Sequence, residues 1–269
     1  MKGIIYMQKG VYEAQKKDNS TYYRASITYK TKHISLGSYT CEADAHQAYM
    51  EASEILNDKD KSIHHYFDNS KLLFEKWVIL INYRDNGIYL GTPIYARRKF
   101  FYYYLSPTII LKFDIDDLFY YSSHKIMKRN GHFFVADYGM QVNILNRHGI
   151  RNFAVAGKDY IFLNGDDTDF RNENIKIINR YQGVSVVTQK GKTKYKAKIN
   201  VPGYYIIGTY PSEIEAAIAY NKAIDILKRI GINKQYIPNY IDGLSPALYA
   251  DIYSRLKISD KIINYKIKR

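Results

Sequence analysis

The chain has a single cysteine, Cys41, in 269 residues. That excludes an intramolecular disulfide and a multi-cysteine zinc site, and it suits a reducing compartment. No stretch reaches the roughly 18–20 uninterrupted apolar residues that a membrane-spanning helix needs. The opening MKGIIYMQKGVYEAQ lacks an apolar core of signal-peptide length. Acidic side chains are scarce: 26 Asp and Glu face 40 Lys and Arg, giving a formal net charge of +14 and a pI near 9.4. Such a surplus favours a polyanionic partner, nucleic acid first and an acidic membrane surface second. Hydrophobic residues are not scarce. At 46% of the chain, with 15% aromatic, they suffice to build cores and exclude a disordered chain. The length allows one large domain or two to three small ones of roughly 100–150 residues each. Lys, Ile, Asn and Tyr are all abundant, as in A/T-rich coding sequence, so the basicity is informative only where it is localised.

The chain repeats itself. LGSYTCEADAHQAYMEASEIL (Leu36 to Leu56) aligns without a gap on IGTYPSEIEAAIAYNKAIDIL (Ile207 to Leu227). Gly37, Tyr39, Glu42 and Tyr49 meet Gly208, Tyr210, Glu213 and Tyr220. Ala45, Ala48 and Ala52 meet Ala216, Ala219 and Ala223. Upstream, YRASIT (Tyr23 to Thr28) matches YKAKIN (Tyr195 to Asn200), and KGVYEAQK matches QGVSVVTQK with small length changes. This is one module used twice. Alanines at helical spacing predict a helix lying close against something flat, and Ser212 with Glu215 makes a capping box at its start. Alternation before it predicts three short strands, with Ala25, Ile27, Ala197 and Ile199 inward. The helix then covers one sheet face and leaves the other open.

Charge sorts between these faces. Lys190, Lys192, Lys194, Lys196 and Lys198 fall in the second sheet with no acid among them; two alternate onto the open face and the others sit in the turn before it. Lys16, Lys17, Arg24, Lys30 and Lys32 occupy matching regions of the first, opposed there by Asp18. The helices carry Glu42, Asp44, Glu51 and Glu54, then Glu213, Glu215 and Asp225. A basic sheet backed by an acidic helix is a surface that faces phosphates. The plain alternative is a solvated sheet face.

The pattern GV…Y-x-A-x-I…(L/I)-G-x-Y-x-x-x-x-(D/E)-A-x-x-A-Y-x-x-A resembles the APETALA2/ethylene-response-factor DNA-binding domain of plants and its bacterial and phage relatives. The two copies cover about two fifths of the chain. The resemblance implies a three-stranded sheet laid in the major groove of double-stranded DNA, with bases read by outward side chains. Those positions are Tyr12, Arg24, Ser26, Thr28, His33 and Ser35 in the first copy. In the second they are Ser185, Lys196, Lys198, Asn200, Tyr204 and Ile206. The family reads bases with arginines and tryptophans. Here there is one Arg and no Trp, which points away from a G/C-rich target and toward an A/T-leaning one.

The middle is read as a helical stretch, SKLLFEKWVILINY, containing the only tryptophan, Trp77. The aromatic run Phe100 to Tyr104 follows, beside Arg97, Arg98 and Lys99, and reads as a buried strand with a basic shoulder. Strands then alternate around Asn130–Gly131. LNRHGI and IFLNGDDTDFRNENIKII resemble the core of the HNH homing endonucleases over roughly residues 112–179. Asn164, Gly165, Asp166, Asp169, Arg171 and Asn174 match that motif's scaffold. The chemistry does not match: the motif's Asp-His pair falls on Ile161 and Phe162, its first His on Asn146 and its helix Asn on Phe170. Neither Ile nor Phe takes a proton or binds a metal. The expectation is a degenerate ββα-metal-like region, with no catalytic residue, metal or cofactor. Asp159, Asp166, Asp167 and Asp169 then cap and solvate a turn before a short helix over 172–178. The alternative is an atypical nuclease using His148, Asp166 and Asp169. His64–His65 shows no ligand partners, and Cys41 reads as structural.

The sequence therefore predicts an α+β protein in five segments. Residues 1–58 and 180–237 are the two modules, 59–111 a helical and aromatic connector, 112–179 the HNH-like region and 238–269 a basic helical tail. The tail, with Leu248, Ile252 and Leu256 on one side, is open to three uses: packing on the second module, reaching along DNA, or dimerising. The expected function is non-enzymatic double-stranded DNA binding in the cytoplasm, with a regulatory, mobile-element or phage role. The competing classes are the nuclease and a protein-binding inhibitor whose basic faces meet an acidic protein or a nucleoprotein.

Overall fold

The computed structural model describes residues 7–266. The fold is α+β, built from small antiparallel sheets and short helices. It divides into two compact units. One comprises Met1–Ile144 and Asp166–Asn172; the other comprises Leu145–Gly165 and Glu173–Arg269. The division falls inside the 112–179 segment, and His148 belongs to a different unit from Asp166 and Asp169.

The first unit opens with β1 (Val11–Gln15), β2 (Thr21–Tyr29), β3 (Lys32–Tyr39) and α1 (Glu42–Asn57). The strands pair antiparallel in the order β1-β2-β3. Ala45, Ala48 and Ala52 of α1 are fully buried against the sheet, as their small side chains allow. The core then runs on into α2 (Phe74–Asn86), where Trp77, Val78 and Leu80 join it. Two further meanders follow. The first is β4 (Ile94–Ala96), β5 (Phe100–Ser106) and β6 (Ile109–Asp114). After α3 (Leu118–Ser123) comes the second, β7 (Ile126–Arg129), β8 (His132–Asp137) and β9 (Met140–Asn143). Asn130 and Gly131, both with positive φ, make the two-residue turn of β7–β8. Phe101 and Tyr103 of β5 are fully buried while Arg97, Arg98 and Lys99 are exposed. The aromatic run is a core strand with a basic shoulder.

The second unit holds the hairpin β10 (Tyr160–Phe162) with β11 (Ile175–Ile177). It continues with β12 (Val184–Gln189), β13 (Lys192–Asn200), β14 (Tyr204–Tyr210) and α4 (Glu213–Arg229). The helix expected over 172–178 does not form. Asn172–Asn174 is one 3-10 turn, and Ile175 and Ile177 enter the strand that pairs with Tyr160–Phe162. Two β-branched residues at alternate positions have a paired strand to join, and that outweighs the capping signal before them. The tail forms α5 (Pro246–Arg255) and α6 (Asp260–Ile263). Of its three open uses the first is realised: Ile252, Ile258 and Ile262 are buried in the core beneath α4. Lys266 is described, whereas Lys268 and Arg269 lie outside the described residues.

The repeat extends to fine geometry. Both sheets carry a bulge at the matching point: Leu36 is the extra residue beside Ala25/Ser26, and Ile207 beside Ala197/Lys198. Gly10 and Gly183 both have positive φ, and a Cβ on either would strike the ring of Tyr49 or Tyr220. The Tyr39 hydroxyl donates to the Lys71 carbonyl (3.0 Å) and that of Tyr210 to the Lys257 carbonyl (2.9 Å). Burial, with Glu51 and Asp44 near one phenol and Glu215 near the other, pushes both up to about 12. Both hydroxyls therefore remain donors, each tying the segment after its helix to its sheet.

Candidate nucleic-acid interface

Strand β13 reads KTKYKAKIN and places Lys192, Lys194, Lys196 and Lys198 at every second position. Strand alternation puts all four on one face. It is the face away from α4, because Ala197 and Ile199 between them are buried in the helix-side core. Lys192 and Lys194 were expected in the turn; they are strand residues, and of the five lysines only Lys190 (φ 53°) sits in the turn. Successive lysines lie roughly 6.7 Å apart along the strand. That is about two axial phosphate steps of one DNA strand, at ~3.4 Å each. Lys194 and Lys196 are half-buried and Lys198 is exposed. Long stems lie along the sheet while the ammonium groups stay wet. Cross-strand partners add Ser185 and Thr209 beside Lys196, Ile206 beside Lys198 and Tyr204 beside Asn200. Tyr204 is 79% exposed and Ile206 52%, so the rim of this face is a polar and apolar mixture, bordered at its Lys198–Asn200 end by the segment Lys234–Asp242.

The first module presents a different face. Tyr12, Arg24 and Ser38 form one cross-strand row and Thr28 with His33 another. The Thr28 hydroxyl lies 3.4 Å from His33 Nδ1, and the Arg24 guanidinium sits over the Tyr22 ring at 5.6 Å. Ser35 is exposed, as are Lys16 and Lys17 in the β1–β2 turn. Three expected residues are not available there. Ser26 is only 8% exposed. Lys32 pairs with Tyr29, whose ring packs into the helix-side core, and its ammonium lies over Tyr89 at 5.0 Å. Lys30 lies over Tyr29 and Tyr83 at 5.3 and 5.7 Å. Among the described strand residues, and with Lys16 and Lys17 in the turn beside them, Arg24 is thus the one Lys or Arg on this face. Glu13 pairs with Tyr23 and lies in the helix-side row, away from it.

The backing charge is also unequal. α1 has four acids and no Lys or Arg, whereas α4 carries Lys222, Lys228 and Arg229 beside Glu213, Glu215 and Asp225. Neither module segregates charge fully: α1 is wholly acidic but its sheet carries Glu13 and Asp18, whereas the second sheet has no acid but α4 is mixed. In the second, the face itself supplies the field.

The nuclease-like stretch has its carboxylates committed. Asp169 is buried and takes a two-point bond from Arg171 (2.9 and 2.6 Å), with Lys112 at 3.8 Å. Burial opposes its charge, but the Arg171 bonds and the nearby cations outweigh that and hold the carboxyl below its ordinary range. Asp166 accepts from the Thr168 amide (2.9 Å) and hydroxyl (2.7 Å), which closes a turn. In the other unit, buried Asp159 accepts from Val155 N (2.9 Å) and pairs with Arg151 (3.1 Å). Phe170, at the motif's Asn position, is buried and stacks on Phe113 at 5.4 Å. Of the four aspartates expected to cap a turn before a helix, Asp166 closes a turn, Asp159 and Asp169 are held in ion pairs, and the helix they were to precede does not form. Among the described residues no three His, Cys, Asp or Glu side chains gather as metal ligands would. His65 is spent as a cap, its Nδ1 accepting from Ser62 N at 3.0 Å, and Cys41 is exposed at the start of α1. No helix of the described residues is long and apolar enough to cross a membrane.

Comparison with known protein families, with curated proteins and with solved structures found no match. The interface therefore rests on its own geometry. The strict alternation of KTKYKAK is the sequence signal for four lysines on this face, where two were expected.

Proposed function

We propose that the chain is a non-enzymatic double-stranded DNA-binding protein that lays its two open sheet faces in the major groove. The observation that supports this reading is the four-lysine row of β13 on the sheet face away from α4. Like charges on one strand face repel one another, and a duplex relieves that repulsion while releasing counterions. Thr209, Asn200, Tyr204 and Ile206 flank the row as base-reading side chains, with Arg24, Thr28, His33 and Tyr12 doing so in the first module. The resemblance of both copies to the APETALA2/ethylene-response-factor domain agrees with this placement. Two linked modules on one duplex raise each other's effective concentration. The role is regulatory, in a cell or in a phage or mobile element.

The non-enzymatic part rests on Ile161, Phe162 and Phe170 at the positions where a nuclease needs proton-transfer or ligand atoms, and on the structural bonds of Asp166 and Asp169. Selection of bound duplexes from a random pool tests the binding reading, with enrichment expected and an unenriched pool counting against it. Incubating supercoiled DNA with Mg²⁺ or Mn²⁺ tests the rest. No nicking is expected; metal-dependent nicking abolished by His148→Ala would install the nuclease instead. An acidic protein that binds in preference to any duplex would favour the inhibitor class.

A further inference from the structure

The second unit holds a cleft of about 760 Å³ beside the end of the lysine row. Its walls are the loop around Arg151 and Phe153, the end of β13 at Lys198 and Asn200, and the strap Lys234–Asp242. The strap is built in, not loosely laid. Asn239 and the buried Asn221 exchange two bonds (2.7 and 2.8 Å), and Asn239 exchanges two more with Gln182 (2.7 and 3.0 Å). Lys234 Nζ and the Tyr236 hydroxyl both donate to the Asn200 carbonyl at 2.9 Å. Arg151, Arg180, Lys198 and Lys234 line the cleft, with Asp242 as its one acid. Three lining aromatics leave their rings in solvent: Phe153 is 87% exposed, Tyr204 79% and Tyr240 85%. Phe153 has φ 63°, a left-handed conformation that bulky side chains avoid and that concentrates at functional loops. A buried core gains nothing from any of these rings.

Flat unstacked rings among cations suit a group that is both planar and anionic. Lys198 belongs to the phosphate-facing row and to the cleft alike, so a nucleic-acid backbone following the row reaches the cleft directly. We propose that this cleft holds one or two unpaired nucleotides of the bound DNA, at a strand end, a bulge or an opened pair. Their phosphates meet Lys198, Arg180 and Lys234, and a base stacks on Phe153 or Tyr240. This deepens the duplex-binding reading and rests on it for the neighbouring track. Pockets of this volume take ligands of nucleotide size.

The test measures equilibrium binding of the full-length protein to a blunt duplex, the same duplex with a three-thymidine tail, the thymidine oligomer alone and a free deoxynucleoside monophosphate. The tailed duplex should bind about tenfold more tightly than the blunt one, a modest value for one base stacked on an aromatic ring. Phe153→Ala with Tyr240→Ala should erase that gain and leave blunt-duplex binding unchanged; both side chains are exposed, so the fold should survive. Tyr138→Ala, an exposed ring elsewhere, should leave the ratio intact. Equal binding of blunt and tailed duplexes overturns the cleft and spares the duplex reading. Binding of the tail or oligomer without the blunt duplex supports the cleft and removes the duplex reading; no binding to any DNA removes both. Tight binding of the free monophosphate with no preference for the tail reassigns the cleft to a small molecule and overturns the proposal.

Discussion

Replacing Lys192, Lys194, Lys196 and Lys198 together by glutamine separates the lysine row from every other source of basicity in the chain. Each phosphate neutralised contributes about 0.9 to the slope of log affinity against log salt. If all four lysines meet phosphates, the slope should fall by about 3.6, which amounts to about 150-fold in affinity between 50 and 200 mM salt. The wild-type and variant curves should diverge at low salt and converge at high salt. Arg24→Gln, on the first module's face, should lower the slope by about 0.9 and cost only about threefold over the same range. Stability should move the other way. Lysines roughly 6.7 Å apart repel by about 0.6 kcal/mol per adjacent pair in water before screening. The quadruple variant should therefore unfold at an equal or higher temperature than wild type in low salt. Fluorescence anisotropy with a labelled duplex over a salt series gives the slope, and a thermal melt gives the stability. A variant with full stability and an unchanged slope would refute the idea that this face meets phosphates.

Other outcomes follow from the repeat and from the buried carboxylates. Glu51→Ala removes the acceptor of Ser70 Oγ (2.6 Å) and of the Lys71 and Leu72 amides (3.1 and 3.2 Å), and urea unfolding should show a loss of about 3 kcal/mol. Gly183→Ala should cost more than about 2 kcal/mol, because its positive φ and the Tyr220 ring both exclude a methyl group; Gly10→Ala should behave alike in the other unit. Asp169 has its carboxyl held below the ordinary value of 3.8, so the stability it confers is present above that value and lost as pH falls through its lower folded value. Asp169→Asn should flatten that acid limb in melts from neutral pH downward while lowering stability at neutral pH.

What the sequence revealed, and what it hid, follows from the range of each interaction. The repeat, the cap at Ser212, whose Oγ accepts from Glu215 N at 3.1 Å as the first half of the expected capping box, and the Asn130–Gly131 hairpin are signals that the structure realises. The Asn172–Ile178 helix failed because a strand partner twelve or more residues away outbid a local cap. Lys30 and Lys32 are expected among the DNA-facing residues because they occupy regions matching the second sheet, but they lie over Tyr83 of α2 and Tyr89 in the loop after it. Ser26 obeys the alternation and is still buried, which no periodicity can reveal. The strap over the cleft depends on Asn239 meeting Asn221 and Gln182, contacts between residues that sequence spacing does not associate.

The two copies agree inside and differ outside, and that contrast bears on what they read. Each helix uses the same position to hold the segment that follows it, yet with opposite charge. Glu51 accepts from amides of residues 70–72, and Lys222 donates to the carbonyls of Tyr253, Ser254 and Leu256. The geometry is the same in both copies while the chemistry is inverted. The matched outward positions show no such restraint: Tyr12 aligns with Ser185, Arg24 with Lys196, Ser26 with Lys198, Thr28 with Asn200, His33 with Tyr204 and Ser35 with Ile206, without one identity. A dyad-symmetric DNA site requires two equal reading surfaces. These surfaces are unequal in charge and in side-chain chemistry. The selected site should therefore consist of two dissimilar elements, the one under β13 weakly specified and strongly salt-dependent, the other under Arg24 and Tyr12 contributing less affinity. Recovery of an inverted repeat would require both modules to read alike, which side chains this different do not allow.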